Sequence, residues 1–130
     1  MIQPRKVSYC RAIWIDGDVF NKENSKYKIL FENKFKDTEF VCSPTIEKGI
    51  ELINNTVKAV VIISGRMGQV LVPRVNHMEN LMGIIVFCGN LPFHKKWSGS
   101  YAKVKDVVVD FGKALIVSDQ ILKDAYKIKK

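Results

Sequence analysis

Five short apolar runs, each followed by a segment of helical period, constrain this chain more than any other feature. The runs are Ala12-Ile13-Trp14-Ile15, Phe40-Val41-Cys42, Ala59-Val60-Val61-Ile62-Ile63, Gly83-Ile84-Ile85-Val86-Phe87 and Val107-Val108-Val109. They are nearly continuous and rich in β-branched residues, as strands covered on both faces must be. A strand–helix alternation of this kind predicts a parallel sheet, because parallel neighbours need a long crossover and a helix supplies it. The second run is the shortest and is expected at an edge.

The intervening segments carry stripes at helical spacing. Tyr27, Leu30, Phe31 and Phe35 mark a first helix, and Ile46, Ile50 and Ile53 a second. Ser43-Pro44 reads as the start of that second helix, the hydroxyl capping free amides and the proline occupying the first turn. Leu71, Val75, Met78 and Met82 predict a third helix, with Pro73 tolerable only near its first turn. Trp97, Tyr101 and Val104 predict a short fourth, and Leu115, Leu122 and Tyr126 a fifth. Right-handed crossovers reduce such a (βα)5 chain to a doubly wound sheet, whose commonest order is 2-1-3-4-5. The expected architecture is therefore a flavodoxin- or receiver-like α/β three-layer sandwich, one domain spanning residues 1–130.

Composition excludes several classes. At 47% hydrophobic and 26% charged residues, the chain has the balance of a globular domain and not of a disordered tail. Its apolar runs are far too short to cross a bilayer, and the first nine residues carry no secretory stretch, so a cytoplasmic protein is expected and Asn54-Asn55-Thr56 is a chance glycosylation match. Cys10, Cys42 and Cys88 are odd in number and widely spaced, which suits a reducing compartment. Neither His77 nor His94 lies at ligand spacing from a cysteine, so the three cysteines read as buried apolar thiols and not as metal ligands. The net charge of +8 is spread among acids, with small groups only at Arg5-Lys6, Lys95-Lys96 and Lys123, Lys127, Lys129 and Lys130. That distribution describes a solvated lysine surface, and weak nucleic-acid binding by net charge ranks last among the readings.

Chemistry in an open parallel sheet gathers beyond the carboxyl ends of the strands. Asp16, Gly17 and Asp18 follow the first strand, Ser64, Gly65, Arg66 and Gly68 the third, Cys88, Gly89 and Asn90 the fourth, and Asp110 the fifth. This layout resembles the receiver domain of response regulators, in which acids after the first strand hold magnesium and an aspartate ending the third accepts phosphate. Here Ser64 stands in the acceptor's place, and Asp110 stands near that of the family's lysine. Asp16 and Asp18 alone make a weak cation site, and a helix cap or loop brace is the preferred role for Asp16. Ser64-Gly65-Arg66-Met67-Gly68 is the candidate binding loop for a phosphate-bearing ligand, since glycines let backbone amides approach an anion and Arg66 adds charge. A tight strand-to-helix turn needs glycine for conformational reasons as well. No GxSxG elbow accompanies Ser64, and no histidine and carboxylate are placed by the sequence beside it or Cys88, so no catalytic residue and no cofactor is assigned.

The stretch from Val61 to Phe111 carries a narrower likeness. Ile63-Ser64-Gly65-Arg66-Met67-Gly68, Val72-Pro73-Arg74-Val75, Ile84-Ile85-Val86-Phe87-Cys88, Trp97 and Lys103-Val104-Lys105 before Val108-Val109-Asp110, together with the opening Ile13-Trp14-Ile15-Asp16, resemble poorly characterised domains of rotifer and other eukaryotic proteins. Those domains often precede tetratricopeptide repeats or an ADP-ribosyltransferase module. The resemblance implies a pseudo-receiver with a signalling or scaffolding task, acting through a protein partner or self-association. Degenerate receivers often present the face of helices four and five and the fifth strand, which here implies Trp97, Tyr101, Ile116, Ile121 and Tyr126 as interface candidates; Trp97 and Tyr101 suit covering the sheet equally well.

Overall fold

The structure is a computed structural model that describes residues 8–17, 25–34 and 38–128, with the side chains of all of these except Ser8, Ser25, Phe31, Lys34 and residues 126–128. Strands and helices alternate as β1 (Ser8–Ile15), α1 (Ser25–Lys34), β2 (Glu39–Ser43), α2 (Ile46–Asn54), β3 (Thr56–Ser64), α3 (Gly65–Val75), β4 (Leu81–Phe87), α4 (Leu91–Ser98), β5 (Val104–Val108) and α5 (Phe111–Ile128). All four strand pairings are parallel, and the sheet order is β2-β1-β3-β4-β5. β2 is an edge strand, as its short apolar run predicts.

The period of two along each strand divides the core between two layers. Cys10, Ala12 and Trp14 of β1, with Val60, Ile62, Ile85 and Val108, face Tyr27 of α1 and Phe111, Ala114, Leu115 and Leu122 of α5. Ile13, Ile15, Val61, Ile63, Ile84 and Val86 face the other way, against Ile53 of α2, Leu71, Val72 and Val75 of α3, and Trp97 of α4. At the amino edge of the sheet, long polar side chains close the free carbonyls of the connections. Asn80 Nδ2 donates to Ile53 O (2.7 Å) and Thr56 O (2.9 Å), and Lys58 Nζ donates to Ala125 O in the last turns of α5 (2.5 Å).

Several boundaries depart from expectation. The third helix ends at Val75, so Met78 lies in the following turn and Met82 in β4. Pro73 sits in the last turn of α3, where only the bond to Gln69 is forfeited, on an exposed turn open to water. The cap of α2 is Thr45, whose side chain accepts from Lys48 N at 3.2 Å, and Ser43 Oγ instead donates to Thr45 O at 2.7 Å. α4 starts at Leu91 behind Asn90, so Tyr101 falls in the loop after it and Val104 opens β5, while Val109 lies beyond β5 and is exposed. On α1, Leu30 faces outward, 52% exposed, and the side chain of Phe31 and all of Phe35 lie outside the described residues.

Candidate functional site

β3 runs into α3 without an intervening loop. Ser64 still pairs with Phe87 in the β3–β4 ladder and is also the N-cap of α3, so Ser64-Gly65-Arg66-Met67-Gly68 forms the cap and first turn of a helix and not a free loop. The glycines serve the approach of α4. A Cβ on Gly65 would land on the His94 imidazole, and one on Gly68 would lie 3.3 Å from Trp97 Cη2. His94 lies within α4, and its ring sits over the start of α3. His94 Nδ1 accepts from Trp97 Nε1 at 2.8 Å, which places the proton of the neutral ring on Nε2. Arg66 is exposed, and His77 is an exposed residue of the turn after α3.

The acids are dispersed by comparison. Asp16 directly follows β1 and is half-buried, its backbone N–H donating to Ser43 O at 3.0 Å, so it joins the ends of β1 and β2; it precedes α1 by too many residues to cap it. Asp18 lies outside the described residues. Asp110 caps α5, its Oδ2 accepting from Lys113 N at 3.2 Å. Among the described residues, no three acidic, histidine or cysteine side chains gather as a metal site.

The interface candidates separate between the two layers. Trp97 and Tyr101 pack against the α2–α3–α4 side of the sheet, their ring centroids 6.3 Å apart. Ile121 packs on the opposite side, where its Cδ1 lies 2.9 Å from the position of a Gly83 Cβ. Ile116 is 57% exposed, and the side chain of Tyr126 lies outside the described residues. Sequence reasoning missed a groove of about 520 Å³ between α1 and α5, lined by apolar Leu30, Leu115 and Ile116 with Asn33, Asp110 and Lys113. The spacing of Leu30 with Tyr27 points to the core, whereas its side chain lines the groove, 52% exposed.

All three cysteines are free; Cys10 is buried, and Cys42 and Cys88 are half-buried. Burial pushes the Cys42 thiol above its ordinary range, with Lys28 opposing and Glu32 adding to the rise. Burial likewise raises Cys88, against a backbone hydrogen bond from Asn90. Since the thiolate is the nucleophile, fewer thiolates form at neutral pH than on a free thiol titrating near 8.5. Alkylation by iodoacetamide, followed by mass spectrometry, is expected to be slow at pH 7 and to accelerate only as the pH climbs past that value. Rapid labelling of either residue at pH 7 contradicts the assignment.

Five parallel strands in this order with helices on both faces are the flavodoxin-like arrangement, and that α/β class is what the fold and the strand ends define. No protein-family model, no curated protein and no solved structure matches the chain.

Proposed function

We propose that this domain is a non-catalytic, receiver-like interaction or scaffolding module, docking on a protein partner or on a second copy of itself. One observation carries the reading: where a receiver-like centre needs a carboxylate, β3 ends in Ser64, and the space over the next glycines is filled by His94 and Trp97. A cleft occupied by its own side chains has little room for a phosphodonor, which turns attention to the outer surface. There Leu30, Val70, Phe93 and Ile116 are each more than half exposed, side chains of the kind that anchor interfaces. Three free thiols go with a reducing, cytoplasmic setting. Incubation with acetyl phosphate and magnesium should add no phosphoryl mass, and sedimentation velocity or affinity isolation from the source cells should reveal a dimer or a retained protein. A strict monomer that holds no partner removes the reading.

The second reading is a small phosphate-bearing ligand at the start of α3. It is favoured by a contrast in capping: Thr45, Asn90 and Asp110 satisfy amides of α2, α4 and α5, whereas Ser64 makes no side-chain cap bond to α3. Free first-turn amides attract anions. A rise in melting temperature with inorganic phosphate or a nucleotide, lost in Arg66→Ala, supports it; no shift with either disposes of it.

A further inference from the structure

The positive charge of this chain is less evenly spread in space than along the sequence. Between Ser64 and Tyr101 the only acid is Glu79, in the turn that follows α3, whereas Arg66, Arg74, Lys95 and Lys96 are all exposed on α3 and α4. Neither helix contains an Asp or Glu. Because Gly65 and Gly68 admit His94 and Trp97, the two helices lie against each other and their outer surfaces join. On α3, Arg66, Val70 and Arg74 follow one another at single-turn spacing, so the outward stripe reads cation, apolar, cation over about 12 Å. On α4, Phe93 and Lys96 are one turn apart and face outward. Val70 is 54% and Phe93 52% exposed, one apolar residue on the outer surface of each helix. Arg74 marks the border of the face, where its Nη1 meets Glu47 of α2 at 3.1 Å.

We infer that the outer face of α3 and α4 is a docking surface for an acidic amphipathic helix of a protein partner, one presenting carboxylates a turn apart with aliphatic side chains between them. The inference rests on the protein-binding reading above and names the partner's chemistry. Charge complementarity selects the sign: with Arg74 paired to Glu47 at the border, Arg66, Lys95 and Lys96 remain on helices that carry no acid, a face that repels basic partners and steers acidic ones. The apolar pair selects peptide over nucleic acid. Single-stranded nucleic acid needs a succession of aromatic platforms for its bases, and this face offers one ring, Phe93, beside an aliphatic Val70 that stacks with nothing. An amphipathic helix uses both, its apolar stripe on Val70 and Phe93 and its carboxylates on Arg66 and Lys96.

The test uses the full chain and a fluorescein-labelled synthetic peptide with glutamates at i, i+4 and i+8 and leucines between them, read by fluorescence anisotropy at low salt. The triple reversal Arg66→Glu/Lys95→Glu/Lys96→Glu is expected to weaken binding about tenfold or more, because several charges on one contact face are inverted together. Lys26→Glu/Lys113→Glu/Lys123→Glu makes the same change in net charge on α1 and α5 and should alter affinity about twofold or less, through the general field alone. Val70→Ser/Phe93→Ser should weaken binding a further ~3–10-fold by removing apolar contact while leaving every charge in place. All these positions are exposed, and unchanged circular dichroism establishes that the variants fold. Equal losses from the two charge triples overturn the inference, because net charge then explains everything. So does an oligo-thymidine that binds more tightly than the peptide and is lost in the first triple. If the peptide does not bind, while self-association or a retained protein survives the first triple, this face is wrong and the protein-binding reading stands; if neither survives scrutiny, both fall.

Discussion

Replacing Trp14 with alanine should lower the unfolding free energy by about 4 kcal/mol, whereas Trp14→Phe should cost about 1 kcal/mol or less. The indole is fully buried and holds together an aromatic cluster: its ring centroid lies 4.9 Å from Phe111, 5.7 Å from Tyr27 and 6.4 Å from Phe40. Truncation to a methyl group empties the centre of the α1–α5 layer, and the surrounding rings belong to three different elements that cannot all collapse inward. Phenylalanine keeps most of that apolar volume. It also removes Nε1, a buried donor with no hydrogen-bond partner among the described residues, whose desolvation costs the folded state ~1–3 kcal/mol. Both substitutions relieve that cost, but only for phenylalanine is the lost volume small enough for the relief to offset it. Urea denaturation of both variants measures the contrast. A loss for Trp14→Phe as large as that for Trp14→Ala means that the indole N–H is satisfied after all.

The second large effect is one of sign. Gly65→Ala should destabilise the domain by ~2–3 kcal/mol, although alanine is otherwise the better residue in a helix by up to ~1 kcal/mol. The new methyl group would occupy the position of the His94 ring, and that ring cannot withdraw without giving up its bond to Trp97 Nε1. His94→Ala alone should cost about 1 kcal/mol, since half-buried Trp97 can turn its N–H to water. In the double variant the clash is gone, and Gly65→Ala should become neutral or stabilising, a coupling of at least ~2 kcal/mol in a double-mutant cycle. Additive effects contradict the packing of α4 on α3 through these residues.

The strands and their order were legible because a parallel sheet buried on both faces demands continuous β-branched runs, and Ala59–Ile63 and Gly83–Phe87 have no other use. Where a strand extends beyond its apolar stretch, the signal fades. β1 begins at Ser8, whose pairing with Thr56 is polar, and β5 begins at Val104 but passes through Lys105 and Asp106. A sheet edge half open to water imposes no apolar pattern there. The helix limits failed for a related reason: Met78 and Met82 continue the spacing of Leu71 and Val75 because the turn and β4 pack on the same side of the sheet, not because one helix carries them all. The start of α4 was missed: Asn90 precedes Leu91-Pro92, and its Oδ1 accepts from Phe93 N at 3.2 Å, whereas the aromatic spacing of Trp97 and Tyr101 pointed further along the chain. At the candidate site, the sequence placed Ser64 at the end of β3 correctly but had no means of placing His94 over Gly65. That contact joins two helices separated by a whole strand, and local pattern contains no information about it.

The two tryptophans fall in opposite layers, Trp14 between the sheet and α1–α5 and Trp97 between the sheet and α3. One indole N–H is buried with no hydrogen-bond partner among the described residues, and the other is held by an imidazole. Each half of the molecule thus carries its own native reporter, distinguishable by emission colour, by indole nitrogen resonance and by solvent exchange. Loosening of one helical layer can be watched while the other serves as the internal standard, with no label attached.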